Sequence, residues 1–426
     1  MTVRLYDTST RALVALPAPP APVGMYVCGP TVYQRAHIGN ARPFVVFSWL
    51  RNWLRERGHA VTFVHNITDV NDKIYEAAPG RSAERALEAT RWYLEDIEAF
   101  GLGMPDELPR ATETIPDIVA LVEELVASGH AYEAGGDVYF RVAGFESYGA
   151  LSGQRPDQVE EQEPNPLKED PRDFALWKAT KEGEDTWWES PWGRGRPGWH
   201  IECSAMAEKT LGPEFLIHGG GLDLVFPHHE NERAQSLALG RPFARIWMHN
   251  GMLRFTGEKM SKSLGNVATI RDVIDEWGRE TALLFFLSGH WRKPIDFSAG
   301  TMAAARAQVE GLRNALRGAR RAEGDWGLFA AALDDDFNTP AALALLHEWA
   351  RAGALDELRR GLALFGLASL DERPQPPAEV VRLAGERQAA RAARDFAEAD
   401  RLRASIAASG WEVRDVADGF ELLPLR

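Results

Sequence analysis

The run Phe226-Pro227-His228-His229-Glu230-Asn231-Glu232 sets His228 and Glu232 four residues apart, so a helix there puts an imidazole and a carboxylate on one face. With the thiols of Cys28 and Cys203 they make a set of two sulfurs, one nitrogen and one oxygen, the donor types that suit Zn²⁺. By spacing alone, the same residues also read as a polar helix start beside two inert buried thiols. A second run, Glu258-Lys259-Met260-Ser261-Lys262-Ser263-Leu264-Gly265-Asn266, offers two ammonium groups and several backbone donors that could hold phosphates; its competing reading is a solvated turn. A third, His37-Ile38-Gly39-Asn40, places a glycine where a phosphate or purine must approach the backbone at the start of a helix. Taken singly, His37 reads as a packing or capping residue.

These groups need elements to position them. Gly24-Met25-Tyr26-Val27-Cys28-Gly29-Pro30 reads as a short buried strand stopped by Gly and Pro, and residues 43–56 carry Phe44, Phe47, Leu50, Trp53 and Leu54 at helical spacing. Residues 59–67 supply a second strand, which completes a βαβ unit with a ligand crevice at the strand C-termini and the His37 to Asn40 loop beside it. Helical patterns follow over 82–100 and 115–129, and residues 135–198, rich in Pro, Gly, Glu and Trp, read as an irregular insertion. A strand at 215–218 precedes three glycines, and a second helix is expected from 227–232 towards Leu239. From Gly278 onward, Ala, Leu and Arg recur at helical spacing with breaks near Gly324 and over 371–377, which predicts a helical bundle and a small terminal module.

The chain has 426 residues, enough for about three domains of ordinary size. Its 45% hydrophobic and 26% charged residues exclude a collagen-like or largely disordered chain. Forty-eight basic against sixty-two acidic residues give a net charge of −14, so a nucleic-acid site has to be a local basic face. Two cysteines cannot make a disulfide scaffold and fit a reducing compartment. The first fifteen residues lack the apolar core of a targeting segment, and no run of about twenty apolar residues offers a membrane span, so a cytoplasmic protein is expected.

In this order, and together with Met25 to Tyr33, Asn66-Ile67-Thr68-Asp69-Val70, Pro197-Gly198-Trp199-His200-Ile201-Glu202-Cys203-Ser204, His218 to Leu224 and Asp334-Asp335-Asp336-Phe337-Asn338-Thr339-Pro340, the segments resemble the cysteinyl-tRNA synthetases of the class I aminoacyl-tRNA synthetase superfamily. The likeness spans nearly the whole chain. It implies an α/β fold, a Rossmann-like doubly wound parallel sheet split by an insertion and followed by an α-helical bundle and a small C-terminal anticodon-binding module. The corresponding boundaries are 1–115 and 197–250 for the two halves of the catalytic domain, 116–196 for the insertion, 251–300 for a connecting fold, 301–370 for the bundle and 371–426 for the module. It further implies that L-cysteine and ATP give cysteinyl-adenylate and pyrophosphate, and that the cysteinyl group then passes to the terminal ribose of tRNA(Cys).

By the same resemblance, His37, Asn40, Lys259 and Lys262 are the catalytic residues, and with Gly39 they bind ATP. Gly29, Thr68, Trp199 and Asp223 line the amino-acid pocket. Cys28, Cys203, His228 and Glu232 hold one Zn²⁺ that selects the thiolate, Mg²⁺ accompanies ATP, and Arg391, Asp400 and Asp415 read the anticodon. Arg306, Arg313, Arg317, Arg320 and Arg321, then Arg382, Arg387, Arg391, Arg394, Arg401 and Arg403, are candidates for phosphate contacts, and Phe396 for stacking on an unpaired base. A monomer is expected.

The chain departs from the family pattern at Asn40, where a second His is usual, and at Asn71, where an Asp is usual; asparagine can still donate a hydrogen bond to a phosphate or ribose oxygen. Only Lys73 remains of a lysine pair that relatives use in a persulfide-forming side activity. Two other readings stay open: a mycothiol-type cysteine ligase, whose tail lacks an anticodon module, and a catalytically silent metal- or RNA-binding relative. A charging assay with tRNA against an aminosugar acceptor separates the first, and cysteine-dependent pyrophosphate exchange the second.

Overall fold

The computed structural model describes residues 2–154, 164–255, 268–372, 375–416 and 419–424, which form two compact units, 1–370 and 371–426. A hairpin of β1 (Arg4–Asp7) and β2 (Ala12–Ala15) precedes β3 (Val23–Val27), which is almost wholly buried, as a parallel strand covered on both faces must be. Helix α1 (Ile38–Glu56) and β4 (Val61–His65) complete a βαβ unit, with β3 and β4 paired in parallel from Val23 opposite Val61 to Val27 opposite His65. The helix begins ahead of the expected start at residue 43, so the His37 to Asn40 motif is a helix start and not a loop. The His37 backbone N–H donates to Asn40 Oδ1 at 3.2 Å, and buried Ile38, Ala41 and Phe44 extend the apolar stripe through the first turns.

After α2 (Asp72–Ala77), α3 (Ser82–Glu98) and α4 (Ile115–Ala127), β5 (Ala131–Ala134) begins a four-stranded antiparallel sheet whose next three strands, β6 (Asp137–Phe140), β7 (Phe174–Ala179) and β8 (Gly195–Pro197), lie in the segment read as irregular. Gly135 and Gly136 both take positive φ, 66° and 89°, which closes the β5–β6 hairpin with a tight turn. Phe140 stacks on Phe174 with ring centroids 4.9 Å apart, so the insertion has an apolar core of its own.

The main sheet then resumes through α5 (Trp199–Leu211), β9 (Glu214–Gly221), α6 (Glu230–Ala238) and β10 (Phe243–Asn250). Its order is β10-β9-β3-β4, all parallel. The three glycines belong to β9 itself, because Gly219, Gly220 and Gly221 pair with Met248, His249 and Asn250 of β10. The chain leaves β3 towards β4 and β9 towards β10, in opposite directions, so the crevice lies where β3 and β9 end side by side.

Beyond the sheet come β11 (Leu253–Phe255), α7 (Ile270–Trp277), α8 (Arg279–Leu287), β12 (Ile295–Phe297) and four helices, α9 (Ala299–Leu316), α10 (Trp326–Asp334), α11 (Thr339–Ala352) and α12 (Leu355–Leu364). Their apolar faces share one core with α1, where Trp49 Nε1–H donates to the Phe365 carbonyl at 3.0 Å and Trp53 packs edge-on to Phe329. The second unit packs α13 (Ala378–Ala392) and α14 (Phe396–Ala408) against the antiparallel pair β13 (Trp411–Val416) and β14 (Gly419–Pro424), around Val380, Ala384, Ile406 and Trp411. Among the described residues, no helix is long and apolar enough to cross a membrane.

Candidate active site and metal centre

Four elements meet beneath the crevice. Cys28 follows β3, Cys203 lies within α5, His228 sits in the wide turn over residues 225–229, and Glu232 falls in the first turn of α6. All four are buried, and one donor atom from each lies within 4.8 Å of all the others. Cys28 Sγ stands 3.8 Å from Cys203 Sγ and 3.8 Å from Glu232 Oε1, and His228 Nε2 stands 3.1 Å from the same carboxylate oxygen. Cys28 and Glu232 also belong to a second set with His218 and His229. His218 Nε2 is 2.8 Å from Glu232 Oε2, and His229 Nε2 is 3.3 Å from Cys28 Sγ.

More imidazoles surround these donors. His200 Nδ1 approaches His228 Nδ1 at 2.9 Å, His229 Nδ1 approaches His249 Nε2 at 2.7 Å, and Thr8 Oγ1 lies 2.7 Å from His249 Nδ1. Trp199 stacks on His228 at 4.3 Å and Trp247 on His218 at 4.7 Å, which holds the rings in place. Five of the chain's eleven histidines therefore gather here. Sequence spacing pointed to one of them: His229 is its neighbour in the same turn, and His200, His218 and His249 stand on separate elements that only the fold brings together.

Burial raises the Cys28 thiol and the Glu232 carboxyl well above their ordinary ranges, lowers His218 to about 3 and holds His228 and His229 well below the usual imidazole range. The imidazoles are thus neutral, with lone pairs to give. Among the described residues, the ion-pair partners of Glu232 are all histidines, so no arginine or lysine compensates these acids. Two thiols, a carboxyl and neutral imidazoles converging in a buried site fit a soft divalent cation, whose charge would stabilise the deprotonated donors together.

Above this floor opens a cleft of about 290 Å³, lined by Cys28, Gly29, His37, Gly39, Asn40, Trp199 and Asp223. Cys28 belongs to both the cleft and the donor cluster. The half-buried His37 is shifted down by burial, against an upward pull from Asp223, so it is neutral at physiological pH; its Nδ1 is buried without a hydrogen-bond partner. A Cβ at Gly39 would stand 2.9 Å from the His37 ring, which is why this position carries glycine. Thr68 is not a cleft-lining residue: it is buried behind Asn66, whose Nδ2 lies 3.4 Å from Thr68 Oγ1 and whose Oδ1 accepts the Gly29 N–H at 2.9 Å. Lys259 and Lys262 lie outside the described residues.

Sequence reasoning missed other lining groups. The His65 Nδ1–H donates to the Val27 carbonyl at 3.0 Å, so its Nε2 accepts from the Tyr93 hydroxyl at 2.7 Å, and burial pushes His65 down to about 4. Lys73 faces the cleft over the Tyr33 ring. Buried Arg42 donates to the backbone carbonyls of Gly251, Met252, His290 and Lys293, which fastens α1 to the opposite wall. In the second unit, Arg387 grips Asp415 with two bonds of 2.7 and 3.0 Å, Arg391 lies 3.6 Å from the same carboxylate, and Asp400 is exposed on α14. Arg382 and Arg401 are paired with glutamates on their own helices, so phosphate binding there would have to compete with internal ion pairs.

Residues 16–307 match the family described as the tRNA synthetases class I (C) catalytic domain, and residues 328–353 match the DALR domain. Solved structures of similar fold include Mycobacterium tuberculosis methionyl-tRNA synthetase bound by methionyl-adenylate, at TM-score 0.59 and 13% identity over 82% of this chain and 88% of that one. An Agrobacterium radiobacter LeuRS from a ternary complex superimposes at TM-score 0.58 and 12% identity, over 84% and 86%. The parallel sheet, its crevice and these likenesses define a class I aminoacyl-tRNA synthetase. Cysteine–tRNA ligase of Rhodospirillum rubrum is 47% identical over 98% of this chain and 99% of its own length, and that of Halorhodospira halophila is 46% identical over 95% of each. The chain belongs to the cysteine–tRNA ligase family.

Proposed function

We propose that this chain ligates L-cysteine to tRNA(Cys) in two steps within the crevice at the ends of β3 and β9. The observation that carries the reading is the double membership of Cys28, which puts a buried set of soft donors at the bottom of a cleft whose wall is the His37 to Asn40 helix start. In the first step a carboxylate oxygen of cysteine attacks the α-phosphorus of ATP, the bond to the bridging oxygen breaks, and its electron pair leaves with pyrophosphate. In the second a hydroxyl of the tRNA terminal ribose attacks the acyl carbon and AMP leaves. No side chain need act as a nucleophile; catalysis rests on position and on charge.

Neutral His37 and Asn40 offer hydrogen-bond donors to phosphate or ribose oxygens, Gly39 lets the nucleotide approach α1, and Lys259 and Lys262 supply positive charge to the triphosphate, with Mg²⁺ accompanying ATP. Gly29, Trp199 and Asp223 surround the amino acid, and Thr68 acts through Asn66.

We assign Zn²⁺ to Cys28, Cys203, His228 and Glu232, the set that contains both thiols; His218 and His229 then orient Glu232 and Cys28 from behind. When bound, the ion supplies a soft Lewis acid for which a thiolate is a strong ligand and a serine hydroxyl a poor one. Shape alone separates such near-isosteres by only about a hundredfold. Residues 371–426 are assigned as the anticodon module, with Arg391, Asp400 and Asp415 as base readers, and this second unit favours tRNA over an aminosugar as acceptor. The enzyme acts in the cytoplasm as a single chain. The test is cysteine-dependent exchange of pyrophosphate into ATP, followed by charging of tRNA(Cys). Exchange without charging, with an aminosugar accepting the cysteine, would contradict the assignment.

A further inference from the structure

The loop between β3 and α1 carries Arg35, which lines the cleft two residues before His37. Its guanidinium lies over the Trp92 ring of α3, 5.0 Å from the centroid, and its Nη1 stands 3.6 Å from Asp96 Oδ1, too far for a hydrogen bond. Asp96 is buried, and Arg271 holds the same oxygen more closely, with Nε at 3.1 Å and Nη2 at 3.0 Å. One carboxylate between two guanidiniums leaves one positive charge uncompensated. Arg35 Nη1 is itself buried without a hydrogen-bond partner, so a charged donor has been withdrawn from water beside the cleft and given nothing in return.

The loop is pinned where it meets the helix: the Ala36 carbonyl accepts the Ile270 N–H at 3.0 Å, and the Ile38 N–H donates to the Ala268 carbonyl at 3.0 Å. Arg35 is thereby set beside the N-terminus of the long helix α1, whose dipole already favours an anion. The rest of that wall carries no charge, since His37 is neutral and Asn40 is an amide whose Oδ1 accepts the His37 N–H. Lys73, the other cation among the described lining residues, lies over the Tyr33 ring instead. A planar fork of donors on a stacked guanidinium, next to a helix start, suits a phosphate group approached from two sides.

We propose that Arg35 is a further catalytic residue, whose guanidinium binds the β- and γ-phosphates of ATP and takes up the charge that develops on pyrophosphate as it leaves. The inference rests on the ligase reading given above. When the bond from the α-phosphorus to the bridging oxygen breaks, its electron pair stays on that oxygen, so charge accumulates on the leaving group and no proton has to move. A phosphate of the tRNA 3′ strand has the same chemistry as a recognition element, and the experiment separates the two.

Full-length wild type, Arg35→Ala and Arg35→Lys are compared in equilibrium binding of ATP and of AMP, each with Mg²⁺. The same proteins are assayed for cysteine-dependent pyrophosphate exchange and for single-turnover transfer from preformed adenylate to tRNA(Cys). Arg35→Ala is expected to bind ATP about tenfold or more weakly, with AMP affinity within about twofold of wild type. Its exchange rate falls about 10- to 100-fold and needs more pyrophosphate for half-saturation. Transfer stays within about twofold, because pyrophosphate has left before that step. Arg35→Lys recovers part of the loss, since an ammonium binds phosphate as a point charge without the fork. If thermal melting shows that Arg35→Ala does not fold, Arg35→Gln takes its place.

Equal weakening of ATP and AMP, or exchange that stays at the wild-type rate, overturns the proposal. So does slowed transfer with exchange unchanged, which would assign Arg35 to the tRNA strand. Absence of cysteine-dependent exchange in wild type would instead sink the ligase reading, while the comparison of ATP with AMP still reports on the guanidinium.

Discussion

Beneath the cleft, Cys28, Cys203, His228 and Glu232 come from separate parts of the chain and are buried, and Cys28, His228 and Glu232 touch further histidines; along its wall, His37, Gly39 and Asn40 come from one helical turn and are half-exposed. The floor is assembled by tertiary structure, and each of its polar atoms depends on a partner from another element. The wall is assembled locally, from a helix start, a glycine and one reciprocal bond between His37 and Asn40. Substitution on the floor should therefore remove metal and selectivity together, whereas substitution at the wall, or of Lys259 or Lys262, should slow adenylation without changing which amino acid is chosen.

The largest effect is expected for Cys203→Ser. The purified protein should lose its metal, cysteine-dependent exchange should fall by more than about a hundredfold, and the preference for cysteine over serine should collapse; metal analysis and exchange with both amino acids check this. Retained selectivity in a metal-free variant would break the contrast between floor and wall. Lys262→Ala comes next, with exchange lowered about a hundredfold while the cysteine-to-serine ratio and the metal content stay as in wild type. A changed ratio would mean that the lysine segment serves amino-acid choice as well.

His218→Gln sharpens the picture within the floor. As an orienting partner of Glu232, it should weaken metal affinity by about ten- to a hundredfold, whereas His228→Gln, which removes a direct donor, should weaken it more; chelator competition ranks the two. The reverse order would assign the ion to the His218 and His229 set. The smallest effect concerns stability against pH. His65 is held neutral down to about 4 by burial, whereas in the unfolded chain an imidazole takes up its proton near about 6.5. Between those values the unfolded state binds more protons, so stability is fully present above about pH 6.5 and is lost as pH falls towards 4, by up to about 1.4 kcal/mol per pH unit for this group. Thermal melts over that range should show a shallower slope in His65→Gln.

The two regions also differ in how much of them was legible. The His37 to Asn40 run could be read because its residues are neighbours in the chain; its helical start could not, since Pro43 looked like the first helical residue while Asn40 in fact caps the turn before it. The four proposed donors followed from residue type and the spacing of His228 and Glu232. His200, His218, His229 and His249 were invisible as a group because β9, β10, α5 and the turn before α6 bring them together only in the folded sheet. The insertion read as irregular because its four strands are only three to six residues long and lie among Pro, Gly and Trp, a composition that hides period-two alternation.

The central claim is that a cation held beneath Cys28 chooses the amino acid. It is tested most directly by the ratio of cysteine- to serine-dependent pyrophosphate exchange in the wild-type protein as purified, after removal of its metal, and after Zn²⁺ is restored. About one zinc per chain is expected at the outset, with loss of both exchange and preference on stripping and recovery of both on return of the ion. A stripped enzyme that still favours cysteine would contradict it.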